Sequence, residues 1–167
     1  MDEFMCDVET VKDWLNGYRE LVRDINNQRA RLDRMEMKLY SLGSPSFSDM
    51  PKSVSSTPDR NATKIDEKCD LENSIDEEEL YKERKRQMIE LVLKQLKSAD
   101  ERAVIRVRYI DVSSWDDVTD VLFGDREDYI GKEDTYLRRS HKLHGSALKH
   151  IAGYLMENPI PEILADM

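Results

Sequence analysis

The sequence predicts an all-α chain, a long N-terminal helical hairpin or coiled coil followed by a C-terminal helix-turn-helix domain. Three observations predict it. Turn formers are scarce, with six glycines and five prolines in 167 residues, about 7% against about 12% in ordinary usage. Charged residues make up 37% of the chain, a balance that favours charge-laced helices over turn-rich sheets. The apolar residues of the first forty or so positions recur at alternating steps of four and three, the spacing of one helix face. A chain of this length holds one ordinary domain or two small ones, which argues against an enzyme with separate cofactor and substrate lobes.

The first element is expected from Phe4 to Leu42, where Phe4, Val8, Val11, Leu15, Tyr18, Val22, Ile25, Leu32, Met35, Leu39 and Leu42 form a stripe interrupted around Gln28 and Arg29. Nearly forty residues at about 1.5 Å each extend close to about 60 Å, too far for a small domain to cover. The stripe therefore needs a second long helix, in this chain or in a second copy. Gly17 and the Asn26-Asn27-Gln28-Arg29 patch are its weak points, read as surface or as a polar seam that fixes register. Residues 43–63 hold three prolines and six serines without apolar periodicity, which predicts a loop. Helical character resumes near Ala62 and Ile65, with Leu71, Ile75 and Leu80, and turns apolar at Met88, Ile89, Val92 and Leu96. This is the expected antiparallel partner, closing a hairpin over 1–97. The acid run Glu77-Glu78-Glu79 and the basic run Lys82 to Arg86, with Glu78 and Lys82 at i,i+4, are expected to form a solvated face.

Shorter elements follow in 98–156. Ser98 with Asp100 and Glu101 marks a helix start, and Ala103, Val104, Val107 and Ile110 its apolar positions. After a break at Asp111-Val112-Ser113, Ser114 and Asp117 have the spacing of a capping box for a helix that should turn Trp115, Val118, Val121 and Leu122 inward and stop at Gly124. Past the polar segment Asp125 to Asp134, Thr135 opens a last helix running to about Met156, where Asn158-Pro159 and Pro161 stop it. Residues 157–167 are left as an acidic tail.

The net charge of −9 excludes a sequence-blind polyanion binder, but the charges are unevenly placed. From Thr135 to Met156 there are 22 residues without an Asp or Glu, holding Arg138, Arg139, Lys142, Lys149 and all three histidines. Four cations without an acid make this segment +4 and leave −13 for the rest. Wound at about 100° per residue, the segment places Leu137, Ser140, Leu143, His144, Ala147, Leu148 and Ile151 on one side and Thr135, Arg138, Arg139, Lys142, Gly145, Ser146 and Lys149 on the other. A face of Thr, Arg, Arg, Lys, Gly, Ser and Lys fits the DNA major groove, where arginines bond guanine edges or clasp phosphates and small residues let the backbone approach. The short capped helix before it is what a helix-turn-helix needs to cross the phosphate backbone. The competing interpretation is a merely solubilising face on a terminal helix. Eleven residues separate Phe123 from Thr135, where a helix-turn-helix usually turns in three or four.

Other chemistry is thin. Cys6 and Cys69 lie far apart without a C-x-x-C, so no disulfide framework, zinc site or catalytic thiol is expected, and the default is a reduced, cytoplasmic chain. Met1-Asp2-Glu3 is unlike a signal peptide, and no apolar run approaches the length of a membrane span. His141 and His144 stand at i,i+3 without a nearby carboxylate or cysteine, so no metal is expected. P-loop, nucleophile-elbow, zincin and Rossmann motifs are absent from the sequence. No cofactor and no enzyme activity are expected.

Several segments together resemble a family. Ser44-Pro45-Ser46-Phe47-Ser48-Asp49-Met50-Pro51, Arg108-Tyr109-Ile110-Asp111 with Ser114-Trp115-Asp116-Asp117-Val118, and Leu143-His144-Gly145-Ser146-Ala147-Leu148, in this order between two long helices and a terminal one, are similar to the RinA/ArpU-type phage transcription regulators. The resemblance covers roughly residues 40 to 152. It implies a C-terminal helix-turn-helix similar to sigma factor region 4, in a phage-encoded activator of late packaging, structural and lysis genes. It further implies double-stranded promoter DNA as ligand, contact with bacterial RNA polymerase and a place at the host nucleoid; the long helices themselves are expected to serve homodimerisation or polymerase docking. Thr135, Arg138, Arg139, Lys142, Ser146 and Lys149 are the expected DNA-binding residues. Two departures are the long spacer and Ser140, where a larger apolar residue is expected. The alternatives are a packaging protein like a small terminase subunit and a structural coiled-coil adaptor.

Overall fold

In a computed structural model, which describes residues 6–42 and 60–167, every regular element is helical. The order is α1 (Val8–Leu42), α2 (Arg60–Leu93), α3 (Ala99–Ile105), a π-helical turn (Arg106–Ile110), α4 (Trp115–Phe123), α5 (Glu133–Glu157) and α6 (Pro161–Leu164). Phe4 and most of the expected loop lie outside the described residues, whereas 60–63, expected as the end of that loop, form the first turn of α2. The chain divides into two compact units, Met1–Val22 with Lys82–Met167 and Arg23–Tyr81, each taken here over its described residues.

The Arg23–Tyr81 unit is an antiparallel helix pair within the chain itself. Gln28 donates to both carboxylate oxygens of Glu78 at 2.8 and 2.9 Å, and Arg29 pairs with Glu79. Farther out, Lys68 bridges Glu36 and Glu72, 3.0 Å from each. Of the Asn26-to-Arg29 patch, Asn26 and Asn27 are exposed, while Gln28 and Arg29 fix the register across the pair. Ile25 and Ile75 are buried and Leu32, Met35, Leu39 and Leu71 half-buried; Ile65 and Leu80, expected in the seam, are 50% and 63% exposed. The apolar contact is thin here, and polar pairings carry the alignment.

The other unit holds the core. Leu15, Ile89, Val104, Ile151 and Leu155, each at most 1% exposed, stabilise it by about 1.5–3 kcal/mol apiece. They come from α1, α2, α3 and α5, and Ile163 of α6 is equally buried. The acidic tail is thus part of the core. Asp166 accepts from the Trp14 indole at 2.8 Å and pairs with Lys85 at 3.0 Å. Lys85 is buried, a correction to the solvated reading of the Lys82-to-Arg86 run. Gly17 permits this: a Cβ there would stand 3.2 Å from the Lys85 Nζ, tighter than an ordinary contact.

Local chemistry sets the short elements. Ser98 caps α3, its hydroxyl accepting from the Glu101 amide at 3.3 Å. The chain then widens into the π turn, closed by Asp111 N–H to Arg106 C=O at 3.0 Å. The wider turn brings Tyr109, 2% exposed, into the core, with the expected Ile110 half-buried against it. Arg106 grips Glu90 with two nitrogens at 2.7–3.1 Å, and this holds the Glu90 carboxyl below its ordinary range. Val112, with φ at 56°, makes the bend into α4. Ser114 and Asp117 form the expected capping box. Along α4, Val118, Thr119 and Phe123 are buried, but Val121, expected inward, is 64% exposed. Position 121 lies about 130° around the helix from the centre of the buried arc.

Candidate nucleic-acid interface

Helix α5 is anchored by Tyr136, Ser140, Ala147, Leu148, Ile151, Ala152 and Leu155. It begins at Glu133, two residues before the expected Thr135, and ends one residue after the expected Met156. Ser140 is fully buried because it has a polar partner. The Thr119 hydroxyl donates to the Trp115 carbonyl at 2.8 Å and accepts from Ser140 at 3.0 Å. A larger apolar side chain at 140 has no room beside that pair and would leave Thr119 without its donor.

Behind the helix, the Tyr109 hydroxyl and His144 Nε2 share a hydrogen bond of 2.8 Å. Burial, then the nearby positive charges of His141, Arg108 and Lys12, lower His144 to about 4, while burial pushes Tyr109 up to about 12. Both are neutral near pH 7. Trp115 lies against both histidines, with centroids 4.1 Å from His141 and 5.0 Å from His144, and Arg108 stacks on it at 4.7 Å. His141 and His144 are therefore engaged by aromatic packing. Among the described residues no group of three His, Cys, Asp or Glu side chains could hold a metal ion.

On the outward side Thr135, Arg138, Arg139, Lys142 and Lys149 are exposed, and Gly145 and Ser146 are half-buried. None of these four cations is in an ion pair among the described residues. Ser146 is different from its neighbours, because its hydroxyl donates at 2.6 Å to Glu101, a carboxylate only 5% exposed whose other oxygen meets His150 Nδ1 at 2.9 Å. Ser146 thus ties α5 to α3, and its oxygen faces inward. The sequence could not show this, since Glu101 and Ser146 are 45 positions apart.

The segment between α4 and α5 is built from successive turns. Arg126 N–H bonds Phe123 C=O, Tyr129 N–H bonds Arg126 C=O and Lys132 N–H bonds Tyr129 C=O, each at 3.0 Å. Gly131, at φ 89°, supplies a left-handed backbone that other residues rarely adopt. Tyr136 and Lys132 bond Asp128 at 2.6 and 2.9 Å and lower its carboxyl to about 2, and Tyr129 donates to Asp120. These bonds bring Arg126 back over Phe123 and Tyr136, the rings on which Arg139 also rests. Arg126, Arg139 and Lys142 line one groove with Phe123, Leu143, Ser146 and Asp100. Arg126 was not among the residues expected from the sequence.

Helix α4 offers nothing similar. Its exposed positions include Asp116, Asp117, Asp120 and Val121, and it has no Lys or Arg. It lacks the cations with which the first helix of a helix-turn-helix would meet a phosphate backbone. Among the described residues no helix is long and apolar enough to cross a membrane. The chain matches no protein-family model, no curated protein and no solved structure.

Proposed function

We propose that the protein is a sequence-specific DNA-binding transcription regulator that inserts the outward face of α5 into the major groove. One observation carries the reading: a 22-residue acid-free run in a chain of net −9 presents Arg138, Arg139, Lys142 and Lys149 to solvent on one helix, outside every ion pair among the described residues. Arg138, Arg139 and Lys142 bind base edges or phosphates, and Thr135 and Lys149 support them. The Ser146 hydroxyl remains with Glu101 and positions the helix. The acidic remainder of the chain repels DNA and so weakens non-specific binding.

The resemblance to RinA/ArpU-type regulators supports a phage-encoded activator of late genes, acting beside RNA polymerase at promoter DNA; it rests on the residue blocks quoted above alone. A gel-shift with late-promoter fragments from the source phage tests this. Replacement of Arg138, Arg139 and Lys142 together by Ala should abolish retention with helical circular dichroism unchanged. Unaltered retention would remove α5 as the reading helix. A ring of eight or more copies in a mass measurement would point instead to a packaging role.

A further inference from the structure

We infer that the segment joining α4 and α5 carries a DNA-phosphate clamp, in which Arg126, together with Arg139 and Lys142 of α5, grips one backbone phosphate in the groove beside Asp100 and Leu143. This rests on the reading of α5 as the DNA-binding helix and assigns a contact to a residue outside that helix.

Two guanidinium groups converge on one aromatic platform. The Arg126 Cζ stands 5.5 Å from the Phe123 ring centre and 6.0 Å from that of Tyr136, and the Arg139 Cζ 5.6 and 5.5 Å from the same rings. The rings are themselves packed, 5.1 Å apart. Stacking fixes the plane of an arginine without using its N–H donors, so both side chains are pre-oriented for a ligand. Neither they nor Lys142 take part in an ion pair among the described residues. Both guanidinium groups line one groove with Lys142, and an anion bound there offsets the repulsion among like charges.

The neighbouring acids decide which anion fits. Asp120 and Asp128 accept from Tyr129, Tyr136 and Lys132, and Glu133 accepts from the Gly131 amide at 3.0 Å. Asp125 and Glu127 flank Arg126 in sequence, and Asp100 lines the groove itself. Three cations against Asp100 leave the groove lining at +2. That balance suits the single charge of a phosphodiester. The apolar walls, Phe123 and Leu143, strengthen the attraction by displacing water.

The long spacer thus has a use: it is an ordered arm that returns a cation to the α5 face. The test is an anisotropy titration of the full chain with a short fluorescein-labelled duplex of arbitrary sequence, over a range of salt. Arg126→Ala should lower the log–log salt slope by about 0.9, and weaken binding about eightfold at 0.1 M salt. Arg126→Lys should keep the slope near the parent's, because the charge remains. Asp100→Asn should tighten binding by removing the groove's one repelling charge. Arg84→Ala, an exposed cation of α2, should change nothing. Thermal melting of each variant confirms that the fold is kept. If the Arg138, Arg139 and Lys142 triple variant loses binding while Arg126→Ala keeps the parental slope and affinity, the clamp is overturned and the α5 reading stands. If the triple variant also binds like the parent, both are overturned.

Discussion

Asp166, next to the end of the chain, should be among the most costly single residues to lose. Its Oδ2 takes the Trp14 indole N–H at 2.8 Å and the Lys85 ammonium at 3.0 Å, with the Lys85 and Asp166 side chains 7% and 11% exposed. Truncation by Asp166→Ala leaves a buried ammonium without this carboxylate, a loss of about 3–5 kcal/mol when one partner of a buried pair is removed. The indole donor adds about 1 kcal/mol. The Asp166 side chain keeps 11% exposure, so we take the lower end, roughly 4 kcal/mol in total. For a protein of this size that lowers Tm by about 8–16 °C. The assay is thermal unfolding followed by circular dichroism at neutral pH. Asp166→Asn should fall between parent and Ala, because its amide oxygen still accepts from Trp14. The double replacement Lys85→Met with Asp166→Leu should recover most of the loss, since a buried pair exchanged for apolar side chains is often neutral. An Asp166→Ala protein that melts within about 1 °C of the parent would refute the buried latch, because even a rim-exposed hydrogen bond moves Tm by about that much.

Three further outcomes are expected. Ser114→Ala removes the capping box of α4 and should cost about 1 kcal/mol, read from a urea midpoint; an unchanged midpoint would mean that the cap contributes nothing to holding α4. His144 is lowered from 6.5 to about 4 when folded, so the unfolded chain binds the extra proton first, and the stability this site contributes is complete above pH 6.5 and lost as pH falls toward 4. Taken at about half weight for its partial exposure, the shift is worth about 1–2 kcal/mol. The stability difference between parent and His144→Gln should change by that amount between pH 7 and pH 4, and a constant difference would contradict it. Replacing Ser140 by Leu should lower Tm sharply by displacing the Thr119 pair; a gain in stability would show that the site prefers the larger apolar residue.

Much of the fold was legible because it is written in local signals. Ser98 and Ser114 announce their helices through side chains that satisfy amides three residues on, and the alternating apolar steps of α1 give its length directly. What escaped had non-local causes. Tyr109 faces inward because a π turn shifts the phase of the helix, and no propensity marks that turn. Lys85 reads as surface in a run of cations, and the carboxylate that meets its buried ammonium, Asp166, lies 81 positions away. Ser140 looked misplaced until Thr119 stood opposite it. At the candidate interface, the acid-free run located the exposed cations Arg138, Arg139, Lys142 and Lys149. It did not show that Ser146, on the same face, donates to Glu101. It also passed over Arg126, whose position depends on the folded path of a segment that reads as an interruption.

The central claim is sequence-specific DNA binding through α5, and selection from a pool of randomised duplexes tests it most directly. The full chain should enrich one motif over successive rounds, and the Arg138, Arg139 and Lys142 triple variant, folded by circular dichroism, should enrich none. No enrichment by the parent chain at low salt, or the same motif recovered by the triple variant, would contradict it.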